Sequence, residues 1–179
     1  MDMTEKRLAR QTVYEGKILH VHRDTVLLPN GAEAIREVAE HPGGVAIVAV
    51  DSDDCVLTVK QYRYVFSQIM EEIPAGKLER GEDPDDAALR ELREETGAMP
   101  ERFTKLGSII VSPGCYGEVL HLYLAEGLRF GETDPDEDEF LNIERHHIKD
   151  LVRMCMTGEI DDAKTVVAVL KANTLLYVE

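Results

Sequence analysis

An α/β domain of mixed strands with a few helices packed around them is the fold class that the 179-residue sequence predicts. Three observations carry this expectation. Val45-Ala-Ile-Val-Ala-Val50 is a continuous apolar run, the mark of a strand buried on both faces. Residues 84–96 carry both start and stop signals of a helix. Around them, stretches rich in β-branched residues alternate with clusters of turn-forming residues.

Taken in order, Val13–Tyr14 and Ile18–Leu28 read as extended segments, Pro29-Asn30-Gly31 supplies a turn, and Ala34–Glu40 is the returning strand of a hairpin. His41-Pro-Gly-Gly44 breaks the pattern ahead of the apolar run. Asp51–Asp54 make a turn, and Val56–Tyr64 is a strand that leaves through the polar Lys60, Gln61 and Arg63. The helix over 84–96 has Asp83 as its cap, Pro84 at its first position, Asp85 and Asp86 at its positive end, and Gly97 as its stop. Phe103–Val111 and Val119–Ala125 are strands joined by the loop Ser112-Pro-Gly-Cys-Tyr-Gly-Glu118, and Gly131–Glu139 is an acidic loop before a strand over 140–143. Helices are expected over 147–156 and 162–176, the second capped by Asp161, with Val166, Val169 and Leu170 on one face. His146 and His147 are adjacent, cannot share a face, and read as surface residues.

Bulk properties narrow the function classes. The length favours one domain with a real core, and an apolar fraction of 44% is ordinary for a soluble globular chain. No apolar run approaches the roughly 20 residues of a membrane span, and the polar start lacks the core of a signal peptide. Three cysteines, Cys55, Cys115 and Cys155, are odd in number and lack CxxC spacing, which argues against a disulfide framework and a thiolate zinc site. A cytoplasmic protein without a membrane partner is the expectation. The formal charge of −15 repels polyanions over a Debye length of about 8–10 Å, and no Lys/Arg stripe counters it, so nucleic acid is excluded as a partner. A phosphate ester can still bind if divalent cations bridge it to the acidic surface.

Chemistry concentrates on the 84–96 helix. Glu91, Glu94 and Glu95 stand at i, i+3 and i+4, so their carboxylates point to one side. Arg90 reaches Glu94 at i+4, whereas Arg93 points elsewhere. Oxygen-only donors at this spacing suit Mg²⁺ or Mn²⁺, which keep several waters and bind substrate phosphates. Upstream, Pro74-Ala-Gly76 supplies a tight loop whose carbonyls could reach the same ion. Three glutamates on a helix of an acidic chain are, taken alone, a solvated face. The spacing decides against that: Gly76, five residues, Glu82, seven residues, then Arg90-Glu91-Leu92-Arg93-Glu94-Glu95-Thr96-Gly97-Ala98. Seven fixed positions at this spacing arise by chance in about one window in 10⁷ or fewer.

This run resembles the Nudix hydrolase box, G-x5-E-x7-R-E-U-x-E-E-x-G-U with U aliphatic; only Ala98 is smaller than the usual last residue. The resemblance implies a Nudix-type mixed-sheet α/β/α sandwich with an N-terminal antiparallel β segment. It also implies that Glu91, Glu94 and Glu95 ligate Mg²⁺ (Mn²⁺ as substitute), in two or three ions, with the Ala75 carbonyl as a backbone ligand. Arg90 would orient the glutamates, and Glu82 would support the loop or a further ion. Other fragments are similar to the ADP-ribose pyrophosphatase branch: Ile35-Arg-Glu-Val38, Gln61-Tyr-Arg63, Glu71-Glu-Ile-Pro-Ala-Gly-Lys-Leu78, the loop containing Pro113 and Glu118, and Ile160-Asp-Asp-Ala-Lys-Thr165. From these the resemblance implies that Arg63 meets the pyrophosphate and that Arg36 reaches the nucleotide from a partner subunit. Glu72 and Glu118 would hold the substrate or its water and metal network, with Pro113 in the same loop. Left to their own pattern, Arg36 reads as a strand-surface residue and Arg63 as a surface ion pair.

The implied reaction is Mg²⁺-dependent, in-line attack of water on the pyrophosphate of ADP-ribose, giving AMP and ribose 5-phosphate. By its place before the 140–143 strand Glu137 looks like the branch's catalytic glutamate, which makes it the candidate general base with Glu139 second, although a solvated acidic turn is the plain reading of that loop. Residues 1–40 are expected to form a β segment exchanged within a homodimer, and 41–179 the hydrolase domain. Two other functions stay open: a Nudix pyrophosphatase for another nucleoside diphosphate derivative, such as a nucleotide sugar or dinucleotide, and a nucleotide-binding sensor without turnover. Such sensors have degenerate boxes, whereas this box keeps every carboxylate.

Overall fold

A computed structural model describes residues 2–134 and 140–177. Its elements, in chain order, are β1 (Lys6–Glu15), β2 (His20–Leu27), β3 (Glu33–Glu40), β4 (Gly44–Val50), β5 (Cys55–Arg63), β6 (Gln68–Glu72), β7 (Ala75–Lys77), α1 (Pro84–Thr96), β8 (Ala98–Met99), β9 (Arg102–Ser112), β10 (Tyr116–Glu126), β11 (Arg129–Phe130), β12 (Asn142–His147), α2 (Ile148–Thr157) and α3 (Ala163–Tyr177). They divide into two compact units, Met1–Gly43 with Ile110–Val119, and Gly44–Ile109 with Leu120–Glu179.

The first unit is an antiparallel meander. β1 pairs with β2 from Lys6↔Leu27 to Glu15↔His20, with irregularities between Arg7 and Ala9 and between Thr12 and Tyr14. β2 pairs with β3 from His20↔Glu40 to Leu27↔Glu33. The connection is the expected turn: Gly31 takes φ 83°, and the Asn30 side chain accepts from the Ala32 N–H at 3.0 Å. Arg10 grips Asp24 through two 2.9 Å bonds, which ties β1 to β2. β1 is longer than the Val13–Tyr14 segment predicted, because all ten of its residues are exposed and no apolar alternation announces it. The loop predicted over 112–118 is also shorter. β10 begins at Tyr116, which lies opposite Ala39 in parallel register, and the Ala39 N–H donates to the Cys115 carbonyl at 2.7 Å.

The second unit is built on β4, all seven residues of which are buried. β4 runs parallel to β10 from Gly44↔Leu120 to Val50↔Glu126, and antiparallel to β7 at Gly44↔Lys77 and to β5 at Val50↔Val56. β5 carries β6, from Val59↔Glu72 to Arg63↔Gln68, and β12, from Lys60↔Asn142 to Cys55↔His147. Alternate β4 side chains serve different cores. Ala46, Val48 and Val50 pack with Ile148, Leu151, Ala168 and Val169 of α2 and α3, whereas Val45, Ile47 and Ala49 pack with Ala87, Ala88 and Leu92 of α1. This is the α/β/α sandwich, and it explains why β4 reads as unbroken apolar sequence. Among the described residues, no helix is long and apolar enough to cross a membrane.

Helix ends follow local chemistry. The Asp83 side chain accepts from the Asp85 N–H, Pro84 opens α1, and Gly97 closes it at φ 70°, as predicted. Two expectations fail. The residue holding the first turn of α3 is Asp162, not Asp161: its carboxylate accepts from the Thr165 N–H at 3.0 Å and the Thr165 hydroxyl at 2.6 Å. His146 and His147 are half-buried and engaged rather than free surface residues. His146 Nε2 lies 2.5 Å from Glu71 Oε1, and His147 Nδ1 accepts from the Lys149 N–H at the start of α2.

Candidate active site

α1 lays its apolar face on β4, so its opposite rows face the Pro74–Lys77 turn. Glu91 and Glu95 are buried, and Glu94 is half-buried. Like charges packed this way need a cation between them, and Arg90 supplies one. Its Nη1 donates to Glu91 Oε1 and to Glu94 Oε2, each at 2.9 Å, and its Nε and Nη2 reach both oxygens of Glu82 at 2.9 and 3.1 Å. Hydrogen bonds from Arg90 hold the Glu82 carboxyl below its ordinary value against the effect of burial. Glu82 also accepts from the Glu79 N–H at 2.9 Å, so it braces the loop that precedes the helix.

Gly76 lies against Glu91. A Cβ placed there would sit 1.8 Å from Glu91 Cδ and 2.0 Å from Oε1, so only glycine lets that carboxylate approach the backbone. Glu95 Oε2 accepts from the Ala75 N–H at 3.1 Å, and β4 fixes the turn from its other side through the Ile47 N–H to the Pro74 carbonyl at 2.9 Å. Ala75, Arg90, Glu91, Glu94 and Glu95 are therefore brought together. Among the described residues, no group of three His, Cys, Asp or Glu side chains is gathered so as to hold a metal ion. In this arrangement Glu91 and Glu94 turn to Arg90, and Glu95 to the Ala75 amide.

Beside this cluster, Arg63 at the end of β5 makes a two-pronged contact with Glu72, 2.6 Å on each oxygen. The Arg63 guanidinium is raised above its ordinary value chiefly by that contact, with smaller contributions from the charges of Asp162 and Glu95. Glu72 is 1% exposed. Burial pushes its carboxyl up, but Arg63 and Lys164 outweigh burial and hold it below the ordinary value. Lys164 was not singled out by pattern, because its partner lies 92 residues away. Glu71, on the other face of β6, bonds the Thr58 hydroxyl at 2.7 Å as well as His146.

Arg36, Pro113 and Glu118 belong to the first unit. Arg36 pairs with Glu5 at 3.0 and 2.5 Å. Glu118 Oε1 lies 3.5 Å from His41 Nδ1, and Pro113 is exposed in the β9–β10 turn. The candidate bases Glu137 and Glu139 lie outside the described residues. The acidic segment starts at a defined place: the Gly131 N–H donates to the Gly97 carbonyl at 2.8 Å, and the Asp134 N–H to the Glu94 carbonyl at 3.0 Å.

Comparison with known proteins identifies the family. A family model described as the NUDIX domain matches residues 40–168, and one described as the nucleoside diphosphate sugar hydrolase N-terminal domain matches residues 5–39. The chain is 40% identical to the ADP-ribose pyrophosphatase of Bacillus subtilis (strain 168), over 93% of this chain and 91% of that protein. It is 41% identical to the methanol dehydrogenase activator of Bacillus methanolicus, over 92% and 90%. It is 34% identical to the ADP-ribose pyrophosphatase of Mycobacterium tuberculosis (strain ATCC 25618 / H37Rv), over 94% and 83%. A crystal structure of an ADP compounds hydrolase superposes with a TM-score of 0.84, covering 98% of this chain and 96% of that one; at 23% identity it establishes the fold. With the box intact on α1 and the family model spanning most of the sequence, this chain belongs to the Nudix hydrolase family.

Proposed function

We propose that the protein hydrolyses the pyrophosphate of ADP-ribose to AMP and ribose 5-phosphate, with Mg²⁺ as cofactor and Mn²⁺ as its substitute. The observation that supports this reading is the placement of Glu91 and Glu95 against the Ala75–Gly76 turn, with Glu94 held to Glu91 through Arg90 on the same helix. The relatives named ADP-ribose pyrophosphatase support the choice of substrate.

The donor set fits a hard divalent cation. All its members are oxygens, and the missing Cβ at Gly76 lets the Glu91 carboxylate lie directly against the turn whose Ala75 carbonyl is a further oxygen donor. Glu91, Glu95, Glu94 and the Ala75 carbonyl would hold two or three ions. Ions bound there supply a water of lowered pKa and positive charge for the phosphoryl oxygens. The chain's own groups do the rest. Arg63 binds the pyrophosphate, since a guanidinium meets phosphate oxygens two at a time and stays charged. Arg90 keeps Glu91 and Glu94 oriented. Glu72 and Glu118 would hold the substrate or its waters, with Pro113 in the loop that precedes Glu118, and Arg36 of a second copy would contact the nucleotide. Glu137, or else Glu139, accepts the proton of the attacking water. The match of residues 5–39 to a nucleoside diphosphate sugar hydrolase segment favours one second reading, a nucleotide sugar as substrate.

Incubation with ADP-ribose and Mg²⁺, with products separated by chromatography, tests this. AMP and ribose 5-phosphate in equal amounts are expected. Turnover of a nucleotide sugar with ADP-ribose untouched would transfer the assignment to the second reading, and no turnover of either overturns the enzyme assignment.

A further inference from the structure

Ile160-Asp-Asp-Ala-Lys-Thr165 has no part in the chemistry above, yet two adjacent residues of it bind Glu72, the last residue of β6, and Ile73, which follows it. Lys164 Nζ donates to Glu72 Oε2, and the Ile73 N–H donates to Thr165 Oγ1 at 3.0 Å. Asp162 holds both binders, accepting from Lys164 Nζ at 3.0 Å and from the Thr165 hydroxyl and amide. Glu72 thus carries two cations on one carboxylate. The cations differ in position: the Arg63 side chain is 38% exposed and that of Lys164 is 12% exposed.

A buried carboxylate stripped of its counter-charge is strongly disfavoured. If Arg63 were the sole partner of Glu72, turning it toward a phosphate would leave that carboxylate uncompensated. We propose that Lys164 is a positioning residue that balances Glu72 while Arg63 leaves it to bind the substrate's phosphate. The inference rests on the proposed pyrophosphatase reading. The charged groups around Glu72 are Arg63 from β5 and Lys164 with Asp162 at the start of α3, while Glu95 of α1 acts on Arg63.

Part of the test needs no substrate. A carboxyl held below its ordinary value of 4.5 stabilises the fold above that pH, and the contribution is lost as pH falls through the lowered value. Removing Lys164 raises the Glu72 carboxyl toward or past its ordinary value. Lys164→Met should therefore be less stable than the parent at neutral pH and lose less thermal stability as pH falls below 4.5, a flatter acid limb, whereas Lys164→Arg should keep the parent's limb. With ADP-ribose and Mg²⁺, Lys164→Met should raise KM about tenfold while kcat changes less than about threefold, and Lys164→Arg should restore KM. In a Glu72→Gln background there is no Glu72 charge left to balance, so Lys164→Met should raise KM no further. Should Lys164→Met fail to fold, Lys164→Gln is read in its place. An unchanged acid limb overturns the inference whatever the substrate proves to be. So does an unchanged KM, or an equal loss in the Glu72→Gln background. If the parent turns over neither substrate, the functional reading fails and the acid limb alone decides whether Lys164 compensates Glu72.

Discussion

At the scale of single residues, the tightest constraint is Gly76. Adding one methyl group there places carbon within 1.8 Å of the Glu91 carboxyl carbon, so the carboxylate must leave the backbone. Gly76→Ala is expected to lower kcat/KM at least about 100-fold, about 2.7 kcal/mol of transition-state stabilisation, with little change in melting temperature. Activity within a few fold of the parent would mean that Glu91 does not work from that position. The glutamate row and its arginine were legible because i, i+3 and i+4 is a local relation. Glu82 reaches Arg90 from eight residues away, and only the box spacing exposed it. The Glu72–Lys164 and Glu71–His146 pairs, 92 and 75 residues apart, leave no mark in local sequence.

At the scale of elements, α1 does two jobs at once, with Leu92 fully buried among Val45, Ile47 and Ala49 while Glu91, Glu94 and Glu95 on either side of it carry the carboxylates. Leu92→Ala should destabilise the protein by about 2–5 kcal/mol, the range for emptying a buried leucine site. Urea unfolding measures it directly, and a loss under about 1 kcal/mol would contradict that packing. The ends of α1 were legible to the residue, since Asp83, Pro84 and Gly97 are themselves the capping chemistry. β6 and β7 were not: five and three residues long, they owe their strand character to β5 and β4 rather than to any pattern of their own. Asp161 and Asp162 are equivalent in sequence, and only the position of Thr165 selects the second.

At the scale of the whole molecule, the first unit leaves apolar surface in water. Leu8, Val13, Tyr14, Ile18 and Ile35 are each more than 40% exposed on or beside the three-stranded meander. Such a meander has little core of its own, and a second copy of the chain is the occupant that the proposed use of Arg36 requires. Sedimentation equilibrium should therefore give twice the chain mass, and Val13→Lys with Tyr14→Glu should lower it toward one chain. A parent protein that sediments as a monomer would remove Arg36 from the proposed site. The apolar run of β4 made the sandwich legible at this scale. The membership of Ile110–Val119 in the first unit was not, because it arises from pairing with a strand some 75 residues earlier, as Tyr116 and Ala39 are aligned.

Glu94 is tied at both its ends. Its carboxylate is bound by Arg90, and its carbonyl receives the Asp134 amide, where the acidic segment begins. One turn on, the Gly97 carbonyl receives Gly131. The final turn of α1 is consequently a shared rocker. Any rotation of that turn that re-aims the carboxylates also drags the first residues of the segment with it. Substitutions in this turn therefore act on the carboxylate row and on the anchoring of residues 131–134 together.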